Sequence, residues 1–333
     1  MHYPDKNCLG MTEGGITINP ERIAKGLYWD RAWSLVSGCS YVSEGCVNCW
    51  AAKEAHMRGQ QANEKIQRRY TGLTTKEGRW NGQIRLLEQN LDLPLRVRKS
   101  TVWAVWNDLF HPDVPDSYIV NALAVIADSR HTFLLLTKRP ERMKEILNHK
   151  TVAADVWVQS SGGIDGSHLV WPLPNLWLGV TAENQEQADK RIPVLLQIPA
   201  AVRYVSVEPC LGPVDIHRYL RGYCPPGCPE KMAATFGFSC PGYCYSRDDT
   251  GIDWIICGGE SGFGARPLHP DWVRSLRDQC QTSGIPYFFK QWGEWIWKYS
   301  PLEDKDRFFR VGKKVAGRLL DGRTWDEIPE SDS

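Results

Sequence analysis

From Ser100 to Gln291 one pattern repeats: a short apolar run, a polar or charged group at its end, then a segment of helical period. Thr101-Val-Trp-Ala-Val-Trp-Asn-Asp108 reads as a buried strand and Asp116 to Ala127 as the amphipathic helix after it. His131 to Arg139 is the next strand, and Pro140 opens a helix over Glu141 to Asn148, a favoured place for proline. Leu176 to Asn184 is a third strand, with a helix reaching about Leu196. Val202 to Glu208, Ile252 to Glu260 and Ile285 to Gln291 complete the series, with a helix over Asp271 to Ser283. A first strand lies around Leu35. Alternating strands and helices imply parallel pairing. The nearly continuous apolar strands fit a sheet covered on both faces. The expected fold is α/β, a complete or partial parallel β/α barrel.

Two stretches break the pattern. Between Arg68 and Asp92 no strand is legible, and Gln83 to Asn90 reads as a helix. After Trp292, Phe308-Phe-Arg-Val-Gly and Val315 to Arg323 suggest a terminal hairpin. The expected organisation is an N-terminal extension over 1–30, a barrel over 31–298 and a hairpin with tail over 299–333. A cysteine-rich insert over 217–250 interrupts the barrel.

Active sites of β/α barrels are built at the carboxyl ends of the strands. Those ends carry Asn107, Asp108, Thr137, Lys138, Arg139, Glu183, Asn184, Glu208, Gly258, Gly259, Glu260, Lys290 and Gln291. The same polar outcome at successive ends points to a convergent pocket. Gly258-Gly-Glu-Ser-Gly-Phe-Gly264 lies too late in the chain for a dinucleotide fingerprint, which opens the first helix.

Composition changes the picture little. Hydrophobic residues make up 42% and charged residues 24%, and 40 basic against 39 acidic residues leave a net charge of +1. No global field draws the chain to nucleic acid or to an anionic membrane. The basic runs Lys65-Ile-Gln-Arg-Arg-Tyr70 and Arg96-Val-Arg-Lys99 offer local cations, though each alone reads first as solvated surface. No apolar run approaches the roughly 18 residues of a membrane helix. The start, Met1 to Cys8, lacks a secretory apolar core. A cytoplasmic protein without membrane contact is expected. In a reducing cytosol its clustered cysteines suggest metal ligands or catalysis rather than disulfides.

Cys39, Cys46 and Cys49 gather in Gly38-Cys-Ser-Tyr-Val-Ser-Glu-Gly-Cys-Val-Asn-Cys-Trp50, just after the first strand. Three soft ligands leave one coordination place open. That suits a catalytic zinc completed by a distant ligand or water, or an iron–sulfur cluster with one vacant corner. Three buried thiols without metal are the plain alternative. Cys224, Cys228, Cys240 and Cys244 form two pairs in a Pro- and Gly-rich stretch that would need a staple to fold. They suit zinc, or a second cluster.

The triad after the first strand of a β/α barrel resembles the radical S-adenosylmethionine superfamily. There three cysteines hold a [4Fe–4S] cluster whose fourth iron binds the cofactor. The superfamily usually has three residues between the first two cysteines, and this chain has six; the Cys46-Val-Asn-Cys49 spacing matches. Gly45-Cys-Val-Asn-Cys-Trp-Ala51, Asp108-Leu-Phe-His-Pro112, Leu136-Thr-Lys-Arg-Pro140, Leu178-Gly-Val-Thr181, Ser206-Val-Glu-Pro209, Gly258-Gly-Glu-Ser-Gly262 and Lys290-Gln-Trp-Gly293 resemble the phage-associated three-cysteine-motif family. That family is often encoded beside a partner protein. The resemblance implies a radical enzyme modifying or repairing a nucleic acid, a nucleotide or another anionic substrate. Asn107, Asp108, Glu183, Glu208, Gly258, Gly259 and Glu260 would bind S-adenosylmethionine. Lys138, Arg139, Glu208 and Lys290 would act on the substrate. A metal-stabilised nucleic-acid-binding protein and a zinc-dependent hydrolase are the alternatives.

Overall fold

The computed structural model describes residues 16, 18–161, 169–220, 251–300 and 305–329. In chain order the strands are β1 (Arg31–Ser34), β2 (Val36–Gly38), β3 (Ile84–Leu86), β4 (Val102–Trp106), β5 (Thr132–Thr137) and β6 (Leu176–Thr181). There follow β7 (Val202–Val207), β8 (Trp254–Gly258), β9 (Tyr287–Gln291), β10 (Trp295–Ser300) and β11 (Lys305–Arg310). The helices are α1 (Pro20–Ala24), α2 (Trp50–Arg58), α3 (Glu64–Tyr70), α4 (Asp116–Ala127), α5 (Pro140–Leu147), α6 (Val152–Gln159), α7 (Gln185–Leu195), α8 (Pro270–Ser283) and α9 (Lys313–Ala316).

Seven strands form one parallel sheet in the order β1-β4-β5-β6-β7-β8-β9. Each new parallel strand joins beside its predecessor. An open doubly wound sheet reverses direction partway, whereas a barrel grows in one direction. The sheet is therefore a curled, partial β/α barrel.

Strand residues alternate between two cores. Leu135, Leu178, Val180, Val205, Val207, Ile255 and Phe289 face outward and join Ile119, Leu123, Ile192, Val273 and Leu276 of the surrounding helices. Val102, Leu134, Trp177, Tyr204, Trp254 and Phe288 face inward and pack with Ile18 and Tyr28 from the N-terminal stretch. Burying a side chain of this size stabilises by about 1.5–3 kcal/mol, and both pleats of each strand contribute. Gly179 makes the inner packing possible, because a Cβ there would stand 2.4 Å from the Tyr204 ring.

The gap between β9 and β1 is filled by both ends of the described chain. Gly26, at φ +71°, passes so close to β9 that a Cβ would meet the Lys290 carbonyl at 2.4 Å. Phe289 N–H donates to Trp325 O at 2.9 Å and Glu327 N–H to Tyr287 O at 3.3 Å. The tail thus covers the free edge of β9, which would otherwise offer unpaired backbone groups.

The two irregular stretches differ from expectation. Ile84–Leu86 is a strand, antiparallel to β2, and only Glu88–Asn90 is helical, as a 3-10 turn. Gly38, at φ +95°, permits this, since a Cβ would stand 2.1 Å from the Gln83 carbonyl. The terminal hairpin pairs Trp295–Ser300 with Lys305–Arg310. Its strands have two usable faces, whereas 312–317 turn into the short α9 between glycines. The insert cysteines Cys224, Cys228, Cys240 and Cys244 lie outside the described residues. The described chain ends at Leu220 and resumes at Gly251, and Leu220 bridges Ile252 just before β8.

Candidate metal centre at the barrel mouth

The loop after β2 carries Cys39, Cys46 and Cys49 across the carboxyl ends of the strands. A 3-10 turn over Glu44–Cys46 and the start of α2 at Trp50 shape it. Cys46 N–H donates to Ser43 O at 2.8 Å, and Cys49 occupies the N-cap of α2. All three thiols are half-buried and free of disulfides. The tertiary structure holds this loop in place through three clamps built from four strand ends.

The first clamp follows β4 and β5. Arg139 pairs with Asp108 at 2.5 Å and reaches Ser40 through its carbonyl at 3.2 Å and its hydroxyl at 2.7 Å. The same guanidinium points an N–H at Cys39 Sγ, 3.8 Å away. Thr137 donates its hydroxyl to Asp108 at 2.7 Å. His111, nearly fully buried, shares a 2.9 Å hydrogen bond between its Nε2 and the Ser40 hydroxyl. Its Nδ1 accepts from Asp113 N–H, so Nε2 carries the proton. Burial, then the charge of Arg139, lowers the His111 pKa and keeps the ring neutral.

The second clamp is Glu183 after β6, a carboxylate with no solvent exposure. It accepts from the Ser43 hydroxyl, from Gly45 N–H at 3.2 Å and from Arg191 at 2.8 Å. Arg191 also donates to the Ser43 hydroxyl at 2.9 Å and to Thr181 O at 2.7 Å. Burial opposes ionisation of Glu183, but Arg191, the Ser43 hydroxyl and Lys138 outweigh it and hold the acid below the usual carboxylate range.

The third clamp is Glu260 after β8. It accepts from Asn48 at 3.1 Å and from Arg266 through backbone N–H at 2.8 Å and guanidinium at 2.5 Å. Arg266 continues to Glu44 O, and Asn48 to Gly264 O. Burial again opposes ionisation, and the Arg266 and Asn48 bonds hold Glu260 low.

Inside the curl, below the loop, lies a separate charged centre. Glu208 pairs with Lys290 at 3.1 Å and accepts from the Tyr28 and Ser206 hydroxyls, each at 3.3 Å. Burial and the Glu208 charge push the Tyr28 phenol far up, so it stays a donor. Gly258 makes room for this carboxylate, since a Cβ would stand 2.7 Å from Glu208 Oε1. Gly259 presses against the Trp292 carbonyl. Asn107, at φ +61°, donates to Val36 O at 2.5 Å and ties β4 to β2. Lys138 is half-buried beside Gly45 and makes no ion pair among the described residues.

The expected strand-end residues thus converge, but they divide into two groups. Asp108, Arg139, Glu183 and Glu260 hold the cysteine loop, while Glu208, Lys290 and Lys138 face the interior or the mouth. Ser40, Ser43, Asn48, His111, Arg191, Arg266 and Tyr28 complete the networks, and no spacing rule singles them out. His111 lies in the Asp108–Pro112 motif and Asn48 in the Gly45–Ala51 motif, the hints the sequence offered.

Among the described residues no three His, Cys, Asp or Glu side chains converge tightly enough to hold a single metal ion. A zinc ion draws its thiolates to about 2.3 Å from one point, whereas cluster cysteines bind different irons and stand farther apart. Burial, then Asp108, pushes the Cys39 thiol up to about 11 against the opposing pull of Arg139. A soft metal group bound there would displace that proton. Three free thiols on one clamped loop are suitable donors for such a group.

The family described as "Protein of unknown function (DUF5131)" matches residues 24–329. The chain belongs to this family. The matched span takes in every strand of the sheet, the cysteine loop and the hairpin of this DUF5131 member. No curated protein and no solved structure matches the chain. No helix among the described residues is long and apolar enough to cross a membrane.

Proposed function

We propose that this protein is an iron–sulfur enzyme of the radical S-adenosylmethionine type, acting on a nucleic acid, a nucleotide or another anionic substrate. The observation that carries this reading is a loop of three free thiols clamped over the carboxyl ends of a parallel, curled β/α sheet. The resemblance of its motifs to the three-cysteine-motif and radical families supports it. Cys39, Cys46 and Cys49 would hold a [4Fe–4S] cluster. A cluster held there would supply, once reduced by an external electron donor, the electron for reductive cleavage of S-adenosylmethionine.

The chain's own residues then have distinct tasks. Arg139, Glu183 and Glu260 position the loop by hydrogen bonds to it, and Asp108 acts through Arg139. Arg139 also places a positive charge beside Cys39 and so favours its thiolate once a metal is present. Asn107 and Glu208 offer polar groups to the cofactor. Lys138 and Lys290 provide cations for an anionic substrate, with the protonated Tyr28 fixing Glu208 beneath them. Zinc, or a second cluster, in the cysteine-rich insert and a genomic-neighbour partner stay secondary parts of this reading.

Anaerobic purification tests it. The expected protein is brown, with about four irons and matching sulfide per chain, and yields 5′-deoxyadenosine with dithionite and S-adenosylmethionine. Full iron retention in Cys39→Ala, or no 5′-deoxyadenosine from iron-loaded protein, would sink it. Zinc alone bound through the loop cysteines would favour a hydrolase with a zinc-activated water.

A further inference from the structure

The rim of the mouth exposes aromatic side chains that the fold does not need. Tyr41 is 61% exposed, Trp50 53% and Phe263 83%. Tyr41 stands on the cysteine loop between Ser40 and Ser43, each held by a clamp. Trp50 opens α2 and rests edge-on against Trp106 at 5.3 Å, leaving much of the indole in solvent. Phe263 tops the loop after β8. That loop is fixed on one side by Lys53, which donates to Phe263 O at 2.5 Å, and on the other by Arg310, which donates to Gly262 O at 3.0 Å.

Cations interleave with these rings. Trp50 and Lys53 are one turn apart on α2. Beyond the Phe263 loop stands the β10–β11 hairpin, rooted by Trp295 Nε1 on Ala265 O at 2.7 Å. On one of its faces Lys298 and Arg307, paired across the strands, lie 5.0 and 4.9 Å from the Phe309 ring. Both are exposed.

We infer that this rim binds single-stranded nucleic acid. The inference rests on the reading of the mouth as a site for an anionic substrate, and it names the substrate class. An apolar patch meant for a protein or a second copy would be contiguous. Here single aromatic rings stand on separate segments, with Lys53 linking the Trp50 helix to the Phe263 loop and Lys298 and Arg307 gathered on Phe309, which suits bases and phosphates bound in turn. Unstacked bases are needed to reach such rings, so a duplex is disfavoured. With a net charge of +1, phosphate contacts alone would hold little. Stacking must supply much of the affinity, and the exposed rings are where it would do so.

Fluorescence anisotropy with a labelled oligothymidylate of about 12 nucleotides and a duplex of the same length tests this. The single strand is expected to bind more tightly than the duplex. Its affinity should fall with salt at a log–log slope of about −2, as for three phosphate contacts. Phe263→Ala should weaken binding about tenfold, with Phe263→Trp restoring it. Lys298→Glu with Arg307→Glu should weaken it further and flatten the slope. Iron content and thermal unfolding identify any variant that fails to fold. Cys39→Ala protein without iron should still bind, because the rim is built without the metal. Binding by that variant, with iron-loaded wild-type protein that yields no 5′-deoxyadenosine, removes the radical reading and leaves this one. Equal affinity for duplex, indifference to Phe263→Ala, or no binding at low salt overturns it. So does a concentration-dependent dimer that Phe263→Ala dissolves, for then a second copy covers the rim.

Discussion

Four carboxylates follow β4, β6, β7 and β8 and meet two different fates. At the rim, Asp108, Glu183 and Glu260 each take an arginine and fasten the cysteine loop. In the lumen, Glu208 takes Lys290 and the Tyr28 hydroxyl, and among the described residues no hydrogen bond or ion pair reaches it from the loop. The rim set is spent on architecture, because its acceptor positions are filled by donors that cannot leave without exposing a buried charge. The lumen pair keeps some accessible surface, 24% for Lys290 and 14% for Glu208. A charged strand end is thus not by itself a substrate-binding group. What its partners are, and whether they belong to the loop, decides its role.

Removing the innermost rim acid would test this contrast most severely. Glu183→Ala leaves Arg191 buried without its partner, and urea unfolding should show a loss of about 3–5 kcal/mol. An unchanged midpoint would erase the distinction between rim and lumen. Asp108→Asn should cost about 2 kcal/mol, since a charged hydrogen bond to Arg139 is lost. It should also speed alkylation of Cys39, read by mass spectrometry, relative to Cys280 in the core.

The lumen should respond in the opposite sense. Gly258→Ala drives a methyl toward Glu208 and should cost about 1 kcal/mol while sharply lowering turnover. Glu208→Gln should change stability by less than about 1 kcal/mol, because Tyr28 keeps an acceptor, and activity should carry the whole effect. A Glu208→Gln protein as unstable as Glu183→Ala would merge the two sets.

The pH dependence separates them further, with no effect at neutral pH. Glu183 and Glu260 have folded-state pKa values below their unfolded ones. Their contribution is therefore complete above an unfolded value of about 4.3 and is lost as pH falls through the lower folded values. Cysteine-loop protection should fade in acid below about pH 4, and Glu183→Gln should abolish much of that dependence.

Much of the fold was legible in the chain. The strands from Val102 to Gln291 lie where short apolar runs end in polar groups, because a strand covered on both faces must be apolar throughout. α4 spans the expected Asp116–Ala127. β3 was not legible: Ile84-Arg-Leu86 is too short to show a period, and its partner β2 lies more than forty residues away. The site was legible as residue types and not as roles. The basic run at Lys65–Tyr70 is taken up locally, with Arg68 on Glu64 and Arg69 on Ser37, and Arg96 pairs with Asp92. Lys298 and Arg307 stand instead on a hairpin with no basic run, and Lys53 on α2.

The order of residues along the chain is enough for the periodicity, and with it the α/β class, the strand ends and the grouping of three thiols within eleven residues. Those are local properties, set by which side chains follow one another. Which carboxylate meets which arginine was decided by the tertiary structure alone. Ser43 and Glu183 stand 140 positions apart, and Asn48 and Glu260 stand 212 apart. Only the curl of the sheet brings these groups within hydrogen-bonding reach, and burial then makes the pairing obligatory.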